Sequence, residues 1–391
     1  MLVPFLFWAG VTSANGQAEP LSDAPPATID TAEAQNWIEL IATAYPFLVV
    51  NVVLDGKTIP AMLDTGLSNT IIDLQVARSL GMDVRPYGKL ESFGGAVDLY
   101  ATDFNSFEIA GWRQRRGTIG VVDLSHIRAK ARNAFSVMIG IDLLAHTALQ
   151  VDWDHDRIRL LPGGTTLAGR GVPLRISAPT NHLATGLSVN NHAFDPVAVD
   201  TGSDGAVAVQ KSLLPQLSVP ANHLTSRLTS VAGGMITSDY FRAQTVQFGD
   251  LRFEKLPTEV DELVVPGSRQ FQARIGMEFL QRFNFLMDPR AGRMVMTPRV
   301  TPIPPTQIST SGVQGDYKPD GLNIVHVMRG SPAEKAGLKS GDRICMVDGE
   351  KVDASWENSG QREWSMGRPG RRVILSLCNG DSKTLTLSEF Y

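Results

Sequence analysis

Cysteine is scarce in this chain of 391 residues, which contains only Cys345 and Cys378. Because both lie near the C-terminal end, a framework of disulfide bonds cannot hold the preceding region together. For the two residues themselves, one bridge and two buried free thiols are both open interpretations. The chain must therefore rely on a hydrophobic core, for which an apolar content of 43% is ordinary.

The sequence also has little that indicates a metal or a nucleic acid. Its seven histidines are dispersed, and neither a His-Glu-x-x-His nor a His-x-x-His pattern occurs. The net charge of −4 gives no sign of polyanion binding. Arg113, Arg115 and Arg116 form the only tight basic cluster, which we interpret as an exposed hairpin. We therefore expect no metal, no other cofactor and no nucleic acid partner.

The N-terminal apolar run is too short for a spanning helix. About ten apolar or small residues follow Met1, which is typical of the core of a signal peptide, although the usual Lys or Arg is missing. We predict a signal peptide over residues 1–18 and an exported, periplasmic or secreted protein without an integral membrane span after its removal. Residues 19–44 are predicted to be a flexible segment, of which 29–44 could be a leading element of the next domain or a removable pro-segment.

The sequence contains an internal repeat with an offset of 136 residues. This offset relates Asp64-Thr65-Gly66 to Asp200-Thr201-Gly202, and Ile139-Gly140 to Ile275-Gly276. A Gly-Gly pair lies between these anchors in each copy, with a three-residue difference in position. Because this difference is cancelled before the Ile-Gly anchor, the pattern indicates two copies of one unit with a variable surface hairpin.

Each copy is predicted to consist mostly of strands. Residues 47–54 and 58–63 are apolar or β-branched runs separated by Asp55-Gly56, which is a strong hairpin signal. The second copy has a similar pair of runs around Asn190-Asn191. We therefore predict an all-β fold with two lobes, which cover residues 45–165 and 166–300.

The paired Asp residues carry the chemistry that this repeat predicts. Two carboxylates held face to face cannot both be ionised at low cost, so they share a proton. One group can then take a proton from water while the other polarises a carbonyl, which permits peptide hydrolysis without a metal or a covalent nucleophile.

The order of features in each copy resembles that of the retropepsin-like aspartic proteases. Each has a strand hairpin, an apolar-Asp-Thr-Gly segment, a Gly-tipped hairpin and an apolar-apolar-Gly segment, except that Arg274 replaces an apolar residue in the second copy. The resemblance covers about residues 45–300 and, as in pepsin-like enzymes, both lobes lie in one chain. It implies that Asp64 and Asp200 form a catalytic dyad and that the protein acts as a monomer on a protein or peptide substrate.

The resemblance also implies roles for the neighbouring residues. Thr65 and Thr201 would hydrogen-bond across to the opposite loop, while Gly66 and Gly202 would let the backbone approach and donate N–H groups to the carboxylates. Ser203 would support the second Asp. The two Gly-Gly hairpins would be flaps that bind substrate as an added strand; their candidate residues are Phe93, Gly94, Gly95, Gly233 and Gly234.

Leu67 departs from the family pattern, which usually has a small or hydroxyl residue at this position. Because Leu67 cannot hydrogen-bond a carboxylate, we expect Asp64 to be less stabilised in its charged form and the acid limb of the pH–rate profile to lie higher than with Ser. Leu67 also favours the alternative that the site is inactive.

The last part of the chain resembles a bacterial PDZ domain. A Pro-rich linker at residues 301–311 precedes Gly-Ser-Pro-Ala-x-x-Ala-Gly-Leu at 330–338 and the Gly-Asp-x-Ile and Val-Asp-Gly segments that follow. The resemblance covers residues 312–391 and implies a groove beside the strand at 322–328, flanked by a helix near 355–366, that takes a peptide tail. The groove residues predicted in this way are Gly321, Leu322, Asn323 and Ile324.

The combined prediction is an aspartic-type endopeptidase with a PDZ domain for substrate-tail recognition or regulation. The serine protease loops Gly-Asn-Ser-Gly-Gly and Gly-x-Ser-x-Gly are absent from the sequence. One alternative is an inactive bilobal protein that binds peptides through its cleft and its PDZ domain. Another is an obligate dimer in which the copies pair between chains.

Overall fold

The computed structural model describes residues 5–6, 10–13, 28–43, 45–92, 95–132, 134–165, 167–177, 182–231, 234–261, 271–301, 303 and 306–391. These residues form two repeated lobes and a C-terminal PDZ region, built mostly from strands, so the all-β prediction is confirmed. Within the described ranges, no helix has the length and apolar character needed to cross a bilayer.

The first lobe contains a nine-stranded sheet that positions the loop at Asp64. Val49–Leu54 and Lys57–Leu63 pair around Asp55-Gly56, whose φ angles of +48° and +78° form the predicted tight turn. Val137–Ile139 pairs in parallel with Lys57–Leu63, so two apolar strands run side by side into the loop. The other strands of this lobe are Thr28–Ile29, Ile38–Glu39, Ile71–Asp73, Arg85–Ser92, Gly95–Ile109, Trp112–Val122, Thr147–Asp152 and Arg157–Pro162; the helices are Leu74–Ser79, Ser125–Lys130, Ile141–Leu144 and the 3-10 turn Glu33–Gln35.

The second lobe repeats this arrangement. His182–Val189 and His192–Val199 pair around Asn190-Asn191, whose φ angles of +48° and +66° give the same turn. Ala273–Ile275 pairs in parallel with His192–Val199 and leads to the loop at Asp200. The other strands are Arg170–Pro173, Arg175–Ser177, Val207–Gln210, Thr225–Val231, Gly234–Phe248, Leu251–Asp261, Phe283–Asp288 and Arg293–Pro298; the helix is Met277–Leu280, with 3-10 helices Lys211–Leu217 and Ala221–His223.

A six-stranded sheet joins the two lobes. Thr147–Asp152 pairs antiparallel with Phe283–Asp288 and places Gln150 opposite Leu286, two residues related by the offset of 136 (286 − 150). A local twofold axis therefore passes between these strands. The buried apolar side chains of both lobes form one continuous core. Together, the sheet and the core hold the two Asp loops in a fixed relation.

Residues 28–43, which the sequence predicts to be flexible, have defined partners on the first lobe. Ile38–Glu39 pairs with the strand Arg157–Pro162. The Trp37 ring lies between two guanidinium groups, 4.5 Å from Arg157 Cζ and 4.3 Å from Arg159 Cζ. These contacts place the segment against the first lobe.

The C-terminal domain has its own sheet and apolar core. A disulfide joins Cys345 to Cys378 across 33 residues, which decides between the two interpretations of these residues. The helix expected near 355–366 is replaced by two 3-10 helices, because Gly360 and several polar residues disfavour a regular α-helix. The strands are Val313–Lys318, Gly321–Val327, Arg343–Val347, Glu350–Lys351, Arg372–Leu377 and Ser382–Thr386; the helices are Pro332–Lys335, Ala354–Asn358 and Gly360–Met366.

Polar contacts dock this domain against the second lobe. The amide of Gln314 accepts from Leu228 N at 2.8 Å and donates to Leu228 O at 3.3 Å. Arg329 donates to Asp239 at 2.6 Å, and its backbone N–H donates to Ser226 Oγ at 3.1 Å. Leu228 and Ser226 belong to the strand Thr225–Val231, so the C-terminal domain contacts one of the two long hairpins directly.

Candidate active site

Asp64 and Asp200 occupy equivalent loops, each directly after a buried strand. The N–H of Asp64 donates to Ile139 O at 2.8 Å, and the N–H of Asp200 donates to Ile275 O at 3.0 Å. The Ile-Gly segments therefore form the second support of each loop. The sequence predicts these segments as repeat anchors, and the structure gives the physical reason for their fixed distance from each Asp.

Thr65 and Thr201 lock the two loops together. Thr65 Oγ1 donates to Val199 O at 2.7 Å and accepts from Thr201 N at 3.0 Å. Thr201 Oγ1 makes the mirror-image bonds, to Leu63 O at 2.8 Å and from Thr65 N at 3.0 Å. Each hydroxyl thus satisfies a buried backbone group of the other lobe, and the loops cannot separate without breaking four hydrogen bonds.

Gly66 and Gly202 lie against the opposite carboxyl group. A Cβ on Gly66 would lie 2.4 Å from Asp200 Oδ1, and a Cβ on Gly202 would lie 2.3 Å from Asp64 Oδ1. Their N–H groups donate to the Asp of their own loop, at 2.8 Å for Gly66 and 2.9 Å for Gly202. The close approach of the two loops therefore requires glycine at both positions.

Both carboxyl groups are fully buried and interact with each other. Burial, followed by the nearby charge of Asp200, raises the pKa of Asp64 well above its usual range. Burial also raises the pKa of Asp200, to about 6, while the positive charge of Arg274 acts in the opposite direction. Among the described residues, neither Oδ2 atom has another hydrogen-bond partner. The arrangement fits a pair that holds one proton between two acids.

Arg274 is a part of the site that sequence reasoning treated only as a departure from the family pattern. Its side chain is 2% exposed, and its Nε lies 3.8 Å from Asp200 Oδ2. Its Nη2 lies 3.6 Å from Asp261 Oδ2, at the end of the strand Leu251–Asp261. The signal that could have identified it is the repeat itself, since the equivalent residue of the first copy is Met138.

Leu67 and Ser203 occupy equivalent positions after the two triplets. The Leu67 side chain is fully buried in the hydrophobic core, and Ser203 is 2% exposed. The backbone N–H of Ser203 lowers the pKa of Asp200. The backbone of Ser203 therefore supports the second carboxylate.

Two long hairpins correspond to the predicted flaps. Arg85–Ser92 pairs with Gly95–Ile109, and Thr225–Val231 pairs with Gly234–Phe248. Gly95 and Gly234 begin the second strand of their hairpins, opposite the last residues of the first strands. The other flap candidates, Phe93, Gly94 and Gly233, lie outside the described residues.

The outer strands of these hairpins are paired with residues near the N-terminus. Gly10–Ser13 pairs antiparallel with residues 88–91 of the first hairpin. Phe5–Leu6 pairs in parallel with residues 230–231 of the second. The two equivalent hairpins are thus paired in opposite senses, one antiparallel and one parallel.

The open edge of the PDZ sheet differs from the predicted groove strand. Gly321–Val327 is paired on both sides, whereas the two edges of the sheet are Ser382–Thr386 and, next to Gly321–Val327, Val313–Lys318. A cavity of about 300 Å³ lies beside this edge, and Arg227 and Tyr240 of the second lobe contribute to its wall. Of the predicted groove residues Gly321, Leu322, Asn323 and Ile324, Leu322 lines this cavity. The cavity therefore lies on the Val313–Lys318 edge, next to the strand predicted to form the groove.

In the part of the chain that the structure describes, no cluster of three or more His, Cys, Asp or Glu side chains is placed to hold a metal ion. The paired carboxyls of Asp64 and Asp200 are two such groups, and the cation Arg274 lies 3.8 Å from Asp200 Oδ2.

Comparison with known proteins agrees with this architecture. A family model described as aspartyl protease matches residues 50–143 and again residues 186–279, two segments offset by 136 residues. A PDZ domain model matches residues 324–361. The chain is also 45% identical over 53 residues to a protein named as a zinc metalloprotease from Neisseria meningitidis serogroup A. That match spans 13% of this chain and 10% of the Neisseria protein. With two copies of the protease domain around paired Asp-Thr-Gly loops, the chain belongs to the retropepsin-like aspartyl proteases and carries a C-terminal PDZ domain.

Proposed function

We propose that the protein is an aspartic endopeptidase in which Asp64 and Asp200 together activate a water molecule. The observation that carries this proposal is the contact of two buried carboxyl groups, one from each lobe, inside a loop pair locked by Thr65 and Thr201. Burial and mutual repulsion disfavour the doubly charged state, so the pair holds one proton over a range of pH. This is the protonation state that combines a general base with a general acid.

The hairpin edges support the way in which a substrate would bind. An extended peptide can add to Arg85–Ser92 and Thr225–Val231 as a further strand, since main-chain groups give affinity without a required sequence. The pairing of Gly10–Ser13 and Phe5–Leu6 with these two edges supports their capacity to accept such a strand. Unfolded or extended segments of proteins are therefore the proposed substrate class.

The test is the cleavage of an unfolded protein substrate by residues 19–391 over a broad pH range. Asp64→Asn and Asp200→Asn should each abolish the appearance of new peptide ends, measured by mass spectrometry. Asp142→Asn is the control, because Asp142 is an exposed carboxylate of the first lobe that accepts from Thr70 N at 2.9 Å and lies outside the dyad. Cleavage that survives either dyad substitution would overturn the proposal.

The same experiment decides on the alternative of an inactive peptide-binding protein. That alternative predicts that the parent protein forms a stable complex with an extended peptide and leaves it intact at every pH. Leu67 is the residue that favours it, because its buried apolar side chain cannot hydrogen-bond the Asp64 carboxylate.

The proposed role of the PDZ domain is to recognise a substrate tail or to regulate the cleft through the second hairpin. Its docking through Gln314 and Leu228 supports the regulatory role, since the bonded strand belongs to that hairpin. Gln314→Ala should loosen the docking and increase protease nicking of the linker at 301–311. Gln361→Ala, a substitution of the same residue type at an exposed site of the domain, is the control. Identical digestion of the two variants would contradict the regulatory role.

Export from the cytoplasm is part of the proposal and is supported by the Cys345–Cys378 disulfide. Such bonds persist mainly in oxidising compartments. Expression in a bacterial host, followed by fractionation and mass measurement of the mature N-terminus, tests this localisation. A full-length chain recovered in the cytoplasmic fraction would contradict it.

A further inference from the structure

The two halves of the dyad differ in one buried cation. Arg274 and Met138 are equivalent residues of the repeat, and both lie on the short strand that supports an Asp loop. Arg274 Nε is 3.8 Å from Asp200 Oδ2, and both side chains are almost completely buried. The first lobe has the uncharged thioether of Met138 at this position, so its carboxyl group lacks the corresponding cation.

The second lobe makes room for this arginine. Arg274 lies directly opposite Ala198 on one neighbouring strand and Ala208 on the other. Met138 lies opposite the larger residues Met62 and Ile71. Because directly opposed residues on paired strands share a face of the sheet, the two alanines leave the volume that a guanidinium group needs. The packing of the lobe is therefore built around Arg274.

The positions of the charged groups around the dyad direct the effect of Arg274 to Asp200. Arg274 lies between Asp200 and Asp261, whose Oδ2 is 3.6 Å from its Nη2. Asp204 lies further along the same loop as Asp200. From the strand His182–Val189, His182 Nε2 donates to the carbonyl of Gly66 at 3.0 Å, beside Asp64. The positive charge of Arg274 acts on Asp200, where it offsets part of the effect of burial.

We infer that Arg274 makes Asp200 the ionised member of the dyad and leaves the shared proton on Asp64. This inference rests on the proposed function, for which it assigns the roles of the two acids. Asp200 takes a proton from the attacking water as the oxygen–carbon bond forms, and Asp64 gives its proton to the carbonyl oxygen. In the second step Asp200 passes its proton to the amide nitrogen as the carbon–nitrogen bond breaks. Asp64 regains a proton from one hydroxyl of the diol, which restores the starting state. Arg274 is thus a positioning residue for charge and does not itself react.

The direct test is a carboxyl titration by NMR with carbon-13 labelled aspartate. The signals of the dyad are assigned by their loss in Asp64→Asn and Asp200→Asn. In the parent protein, Asp200 should ionise first. In Arg274→Met, which copies the first lobe, the first ionisation should move up by about one to three pH units, since an adjacent Arg lowers an Asp pKa by that amount. Met138→Leu is the matched control and should leave the titration unchanged.

A second set of variants keeps the test valid if Arg274→Met folds poorly. That substitution leaves Asp261 buried beside an apolar side chain, so Arg274→Met with Asp261→Asn removes both charges together. Arg274→Lys keeps a cation and should restore the parental order of ionisation. A first ionisation at Asp64 in the parent, or an unmoved midpoint in the folded double variant, would overturn the inference.

Kinetics separate this inference from the proposed function. In an active enzyme, the acid limb and the basic limb of the profile of kcat/KM against pH should both shift to higher pH in Arg274→Met. The reason is that the cation stabilises the ionised form of Asp200. Unmoved limbs in an active variant would refute the role of Arg274 alone. An inactive parent protein whose Asp200 still ionises first would refute the proposed function and leave the inference standing.

Discussion

The substitution Thr65→Val tests whether the two loops are held by their threonine hydroxyls. Valine has nearly the same shape but lacks the hydroxyl, so two bonds are lost: the one to Val199 O at 2.7 Å and the one from Thr201 N at 3.0 Å. Both partners are buried, and each buried group without a hydrogen bond costs about 1–3 kcal/mol. We therefore expect Thr65→Val to lower the free energy of unfolding by about 2–6 kcal/mol.

Thr102→Val is a matched control in the same lobe. Thr102 is fully buried like Thr65, but within the described residues its Oγ1 has no hydrogen-bond partner. Replacing this hydroxyl by a methyl group removes a buried polar atom at no cost in hydrogen bonds. The free energy of unfolding should stay the same or increase by about 1 kcal/mol.

Urea unfolding followed by near-ultraviolet circular dichroism measures both variants under one set of conditions. Similar slopes with different midpoints would attribute the difference to stability. Equal destabilisation by Thr65→Val and Thr102→Val would refute the reasoning, because it would show that the cross-loop bonds contribute no more than any buried hydroxyl.

Three further predictions concern other parts of the chain. Burial raises the pKa of Asp204 to about 7, so its protonated form favours folding at low pH and this contribution is lost as the pH rises towards 7. Between pH 4 and pH 8, the free energy of unfolding of Asp204→Asn should therefore increase by about 4 kcal/mol relative to the parent, measured by urea unfolding at each pH. Replacing Cys345 and Cys378 by Ser should destabilise the PDZ domain by about 3–4 kcal/mol, the entropy of closing a 33-residue loop, and calorimetry that finds no change would contradict this. Gly202→Ala should abolish peptide cleavage, because its Cβ would lie 2.3 Å from the Asp64 carboxyl, and a fully active variant would disprove the close approach.

The repeat made the lobes and their loops predictable from sequence. The anchors at Asp64 and Asp200 and at the two Ile-Gly segments define equivalent loops, and the Asp55-Gly56 and Asn190-Asn191 turns identify the hairpins before them. These signals are local, so a single sequence is enough to read them. The threonine contacts were expected from the family resemblance.

Long-range contacts were not predictable in the same way. The sheet that joins the lobes depends on the pairing of Thr147–Asp152 with Phe283–Asp288, two strands 136 residues apart. A short apolar run predicts a strand but does not identify the strand with which it pairs. The edge strand Val313–Lys318 was missed because Gly315 and three polar or charged residues weaken its strand pattern. In the sequence Arg274 is only a minor departure from the family pattern, because its 3.8 Å distance from Asp200 depends on the folding of both strands.

The most direct test of the central claim is a double-mutant cycle on Asp64 and Asp200. The parent protein, Asp64→Asn, Asp200→Asn and the double variant are compared by kcat/KM on one peptide substrate at the pH of maximum activity. If the two carboxyls act as one unit, each single substitution removes nearly all activity and the double variant is no worse than either single variant. Additive losses, or substantial activity in either single variant, would contradict a shared dyad.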